Sequence, residues 1–227
     1  MRNYYIAFIA MLSFAKIIAQ SNHTVTLHFL PLWKSEGLIL SKPYPTADDT
    51  ITISQLKFYI SHIQLYKDDS LVWVEKESYH LIDHESESAE KITLSILPLL
   101  QYNKIRFLIG IDSLTQNDGV KGGDLDPTKG MYWTWQSGYI HFKLEGNCRK
   151  CNARKNEFQF HIGGYSAPFN SIQSVEYPIT LGKDLEFGLD LSAFLAGFDL
   201  PALNHIMSPS AKAVEIAKSI RFSTKEQ

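Results

Sequence analysis

Short runs of alternating or continuous apolar residues, punctuated by turn-formers, recur along almost the whole chain, and they constrain its fold more than any other feature. Successive side chains of a strand point to opposite faces, so each run reads as a strand with one face in a core. Strands are expected over residues 24–32, 51–66, 71–75, 79–83, 91–96, 104–112, 138–145, 157–162, 174–181 and 185–190. One helix is expected over 208–219, where Pro209 suits the first turn and Ala211, Val214, Ile216 and Ala217 give a partly apolar face. The pattern implies an all-β fold: an antiparallel β-sandwich of Greek-key or Ig-like type with long loops and one C-terminal helix.

Ahead of these runs stands a segment of different character. Met1 and Arg2 lead into an apolar run from Tyr4 to Ala15, then Lys16 and Ile17-Ile18-Ala19-Gln20 before the polar Ser21-Asn22-His23. That is the charged, apolar and cleavable order of a secretory signal, and the run falls well short of the ~20 residues a bilayer-spanning helix needs. A signal over 1–20 is expected, cut near Ala19/Gln20, leaving 21–227 as one periplasmic or secreted domain with no later membrane span. Of 22 Lys and Arg, Arg2 and Lys16 leave with the signal, so 20 face 24 Asp and Glu. A mildly acidic chain without a basic cluster is not expected to bind nucleic acid.

Cys148 and Cys151 are the two cysteines. In an oxidising compartment the simplest expectation is a local disulfide pinning a turn. A redox-active pair sits instead at a helix N-terminus beside a βαβ unit, a pattern missing here, and one pair falls short of a zinc cage.

Between Asp112 and Gly138 lies a long stretch rich in Gly, Asp and aromatic residues. Loops of that length in a compact domain are usually functional or disordered, and the aromatics argue against disorder. Asp112, Asn117, Asp124 and Asp126 are oxygen ligands of the kind calcium uses, though not in EF-hand order; their other role is hydrogen bonding to turn backbones. Glu145, before Gly146, reads as a strand-end contact. No Gly-x-Ser-x-Gly, His-Glu-x-x-His or phosphate-cradling loop is present. Paired carboxylates for glycoside cleavage need no motif. The chain is not expected to be an enzyme.

Several fragments form an ordered set: Gly122-Gly123-Asp124-Leu125-Asp126-Pro127, Gly130-Met131-Tyr132-Trp133-Thr134-Trp135-Gln136-Ser137-Gly138-Tyr139, Lys143-Leu144-Glu145-Gly146 and Phe158-Gln159-Phe160-His161-Ile162-Gly163-Gly164. Phe58-Tyr59-Ile60-Ser61, Tyr79-His80-Leu81-Ile82-Asp83 and Ile206-Met207-Ser208-Pro209 extend it. The set resembles the MbnP-like family, exported β-sandwich proteins that include copper-binding members associated with methanotrophs and methanobactin operons. The resemblance implies copper(I) held by histidines and by kynurenine, an oxidised tryptophan made by a dihaem partner of the MauG or cytochrome c peroxidase type. Indole offers a metal no free lone pair, whereas opening the ring frees an aniline nitrogen and a ketone oxygen.

The resemblance points to Trp133 or Trp135 as the modified residue. If the segment is extended, the two face the same side. His161 matches the family's recurrent histidine and is expected opposite Phe158 and Phe160. His28 is the second ligand candidate, although the apolar alternation puts the family's first-strand histidine nearer Phe29, and one residue of slip turns a side chain to the other face. His62, His80, His84, His141 and His205 are expected as solvent-facing strand or loop residues, His205 being placed to approach the site. The alternative is a binding or structural module that keeps this scaffold without copper.

Overall fold

The computed structural model describes residues 23–86, 90–96, 100–135, 138–180 and 183–226. The signal segment lies outside them. Among the described residues fifteen strands are formed: β1 (His23–Trp33), β2 (Glu36–Gly37), β3 (Pro43–Pro45), β4 (Thr50–Lys67), β5 (Ser70–Val74), β6 (Tyr79–Asp83), β7 (Lys91–Ile96), β8 (Lys104–Ile109), β9 (Tyr132–Trp133), β10 (Gly138–Cys148), β11 (Glu157–Gly163), β12 (Gln173–Pro178), β13 (Leu185–Asp190), β14 (His205–Ile206) and β15 (Ser223–Glu226). Three α-helices accompany them: α1 (Ser113–Asn117), α2 (Leu191–Ala196) and α3 (Ala211–Ser219).

Two sheets pack face to face, the sandwich expected of the alternating pattern. The smaller runs β15-β13-β1-β2, with β7 also on β1; the larger runs β12-β8-β4-β10-β11-β14, with β3, β5 and β6 on the long β4 and β9 on β10. Alternation does not reveal strand direction, and two pairings are parallel rather than antiparallel: β1 with β13, and β11 with β14. The core between the sheets gathers alternate residues of each strand, such as Val25, Leu27 and Phe29 from β1 and Phe158, Phe160 and Ile162 from β11. Phe29 is fully buried at its centre, with ring centroids 6.0 Å from Phe58, 5.9 Å from Phe107, 5.1 Å from Phe187 and 5.6 Å from Phe222. These five rings tie the two sheets together.

Three local expectations change. The strand expected over 104–112 stops at Ile109 because Gly110 turns the chain at φ +118°, with the His141 ring filling the space a β-carbon would need. The last helix starts at Ala211 with Ser210 as its N-cap, accepting from the Ala213 amide at 3.1 Å, so Pro209 precedes the cap instead of filling the first turn. Helices α1 and α2, not among the expected elements, are short pieces capped by Asp112 and Asp190. The Cys148–Cys151 disulfide is formed, and both cysteines are buried. No helix among the described residues is long and apolar enough to cross a membrane.

Candidate metal centre

Even and odd positions of the central strands face different environments. Phe58 and Ile60 point into the core between the sheets, whereas Tyr59 belongs to a second cluster with Leu81, Ile111, Leu125, Met131, Trp133, Tyr139 and Ile140. This cluster lies on the outer face of the larger sheet. The Gly- and Asp-rich stretch after Asp112 folds across that face and buries its own Leu125, Met131 and Trp133 there. The Tyr59 hydroxyl donates to the Asp124 carbonyl at 2.9 Å and the Tyr139 hydroxyl to the Leu125 carbonyl at 3.1 Å. Burial pushes both phenols above their ordinary value, keeping them protonated as donors.

The same face carries a polar row on β10 and β11. Lys143 pairs across from His161, Glu145 from Gln159, and Gln159 from His205 on β14. His161, 6% exposed, places Nε2 2.6 Å from Glu145 Oε1. Lys143 lies 3.5 Å from the same carboxylate oxygen. The hydrogen bond from His161, and then the charge of Lys143, overcome burial and hold the Glu145 carboxyl below the usual carboxylate range. A carboxylate against one ring nitrogen fixes the ring's orientation, as carboxylates behind metal-bound histidines do.

Trp133 completes the row. A β-carbon on Gly163 would fall 2.6 Å from Trp133 Cζ3, so glycine lets the indole lie directly on β11, two residues from His161 on the same face. Trp133 is 5% exposed, and its Nε1 is the one buried side-chain nitrogen or oxygen among the described residues without a hydrogen-bond partner. Such an unmade bond costs about 1–3 kcal/mol. Trp135 sits in the turn after β9 and is 65% exposed, with its ring centroid 5.9 Å from that of Trp133. The two tryptophans thus meet through the turn, not through alternation on one strand.

The other candidates are dispersed. His28 is flanked by the core residues Leu27 and Phe29 and points outward from the smaller sheet, so both sheets separate it from His161. Neither parity on β1 reaches the outer face of the larger sheet, so it is the strand's place in the smaller sheet that removes His28 from this face. Asp112 caps α1, accepting from the Leu114 and Thr115 amides; Asp124 accepts from the Leu81 amide and pairs with Lys129 at 2.6 Å; Asp126 accepts from the Thr128 amide and hydroxyl. Each acid that would suit calcium serves a different turn. Among the described residues no three His, Cys, Asp or Glu side chains gather closely enough to share one metal ion.

Asp112 also makes stability depend on pH. Burial alone would raise its pKa, but hydrogen bonds from Thr115 and Leu114 and the charge of His62 outweigh it and lower the value. Stability from this carboxylate is therefore present above its ordinary value of 3.8 and lost as pH falls through the lowered one. Asp112→Ala should lose about 0.5–2 kcal/mol at neutral pH, the usual worth of an N-cap. Urea unfolding from pH 7 to pH 2 should show the gap between variant and wild type closing at the acid end.

His141, expected at the surface, is fully buried, and burial pushes its pKa down to about 3. The Gln116 amide donates to His141 Nε2 at 2.8 Å, so the ring proton sits on Nδ1, 3.1 Å from Ser171 Oγ. Gln116 Oε1 in turn accepts from the Tyr139 amide. The neutral ring thereby ties α1 and the loop carrying Ser171 to the hairpin that bears Trp133. His62 stands 3.8 Å from Asp112, His80 2.8 Å from Glu75, and His84 pairs with Glu90. Sequence reading missed Glu145 as the partner of His161; matching parity on adjacent strands was the available signal.

The family model described as MbnP matches residues 22–208. The chain belongs to the MbnP family. MbnP from Methylosinus trichosporium shares the fold, with a TM-score of 0.64 at 13% identity, over 90% of this chain and 99% of that one. No curated protein matches the sequence. Against the MbnP assignment, the fragments expected to carry the resemblance fall together: the Trp133 hairpin, the Lys143–Glu145 strand and the His161–Gly163 strand all meet on one face of the larger sheet.

Proposed function

We propose that this MbnP-family protein is an exported, non-enzymatic copper-binding protein of the periplasm or cell exterior. Its centre is the outer face of the larger sheet, with His161 supplying an imidazole and Trp133 the kynurenine that completes the donor set. The observation that carries the reading is the Trp133 indole, laid on Gly163 two residues from His161 with its nitrogen buried and unpartnered. Packing alone gives no reason to keep an unpaired N–H there. Ring opening would leave an aniline nitrogen and a ketone oxygen beside an imidazole, donors suited to soft or borderline copper, in a compartment where thiolates oxidise. Copper so held would be stored or scavenged.

The second imidazole on this face is His205, next to the His161 row on β14, rather than His28. Copper titration of the matured protein tests the assignment: His205→Ala should weaken binding and His28→Ala leave it unchanged, whereas the reverse pattern would refute this choice of face. Glu145→Gln should weaken copper binding about 10–100-fold, because the carboxylate that orients the imidazole is lost; unchanged affinity would show that it has no such role. The oxidant is a dihaem enzyme of the MauG or cytochrome c peroxidase type, as the family resemblance implies.

A second reading keeps the scaffold without copper, as a binding or structural module. The lack, among the described residues, of three clustered ligating side chains favours it. The two readings part on the same titration, where the module binds no copper even when matured.

A further inference from the structure

We propose that Trp135 is the electron relay through which Trp133 is oxidised. The inference rests on the reading of Trp133 as the modified residue. Trp133 is 5% exposed between Gly163 and the second hydrophobic cluster, so a haem carried by another protein cannot touch it. Trp135 is 65% exposed, its ring centroid is 5.9 Å from that of Trp133, and the planes are tilted by 47°. An electron leaving the buried indole crosses one short gap to a ring that stands in solvent. Two indoles have closely matched potentials, so the transfer between them needs little driving force.

The other aromatic path leads inward. Tyr132 packs on Tyr139 at 5.0 Å and Tyr139 on Tyr59 at 5.9 Å. Phenols lose an electron readily only when their proton leaves too, and the hydroxyls of Tyr139 and Tyr59 donate to backbone carbonyls, which are poor proton acceptors. An indole gives up an electron without that requirement.

The oxidation balances as follows. Each cycle sends one electron from Trp133 to an oxidised Trp135, which has itself given one electron to a peroxide-activated haem. Four electrons and four protons leave Trp133 as two waters add oxygen and the C2–C3 bond of the indole breaks, giving N-formylkynurenine. Two molecules of hydrogen peroxide accept those electrons and protons and become water. Hydrolysis of the formyl group then releases formate and leaves kynurenine.

The test matures the full chain with the haem enzyme of its own host and hydrogen peroxide, following Trp133 peptide mass over time in wild type, Trp135→Phe and Trp135→Tyr. Phenylalanine keeps an exposed ring but cannot be oxidised at these potentials; tyrosine can. Kynurenine at position 133 should form ~10-fold more slowly or worse in Trp135→Phe and recover in Trp135→Tyr. Equal rates in wild type and Trp135→Phe would overturn the relay while leaving Trp133 as the modified residue. Equal slowing of both variants would show a docking role instead. Kynurenine at 135 in wild type would make Trp135 the product and overturn the relay, and no oxidation at either tryptophan would overturn both proposals.

Discussion

Copper binding should be lost from His161→Ala while the fold persists. The imidazole is held on the Trp133 face by Glu145, whose Oε1 lies 2.6 Å from its Nε2. On the proposed reading its loss removes a ligand outright and should cost more than the roughly 10–100-fold typical of losing only a hydrogen-bonding partner behind a ligand. The fold should tolerate the change, because His161 points away from the core that Phe158, Phe160 and Ile162 occupy, and Glu145 keeps Lys143 nearby at 3.5 Å. Titration with copper(I), beside a thermal melt of the same sample, checks both halves. Unchanged stoichiometry and affinity would remove His161 from the site.

Phe29→Ala should have the largest effect on stability, about 3–5 kcal/mol, since truncating a buried phenylalanine loses its transfer energy and leaves a cavity. Phe29 touches rings from β4, β8 and β13 and from the segment before β15, so the cavity would open where the two sheets join. Relaxation from any one side is opposed by the remaining rings, which places the cost in the upper part of that range. Ile39→Ala, at a residue 58% exposed, should stay within about 0.5 kcal/mol. Denaturant unfolding of the two variants would show whether the aromatic cluster holds the sandwich together; equal midpoints would contradict it.

Strand positions were legible where alternation was clean. Tyr79–Asp83, Lys91–Ile96 and Leu185–Asp190 form with the bounds expected of them. Direction was not, because a side-chain period of two is the same in parallel and antiparallel pairs, and β1 finds its parallel partner β13 more than 150 residues later. Short helices were hidden for a different reason. One or two turns give no period to read, and the Asp residues capping α1 and α2 were the only signals.

The candidate centre was legible as residue types but not as an assembly. Parity placed His161 opposite Phe158 and Phe160, as found. Whether His28 shares its face depends on which sheet each strand joins, and that is a tertiary fact; the chain puts them on opposite outer faces. The close approach of Trp133 to β11 depends on Gly163 having no side chain, visible only once the hairpin folds over the sheet. His141 looked like any strand histidine until Gly110 and Gln116 closed around it.

The most direct measurement is the mass of peptides carrying Trp133 and Trp135, taken from protein purified from its own host. The account predicts that the residue at 133 has lost one carbon and gained one oxygen relative to tryptophan, while 135 remains tryptophan. Unmodified tryptophan at 133 in that protein would contradict it.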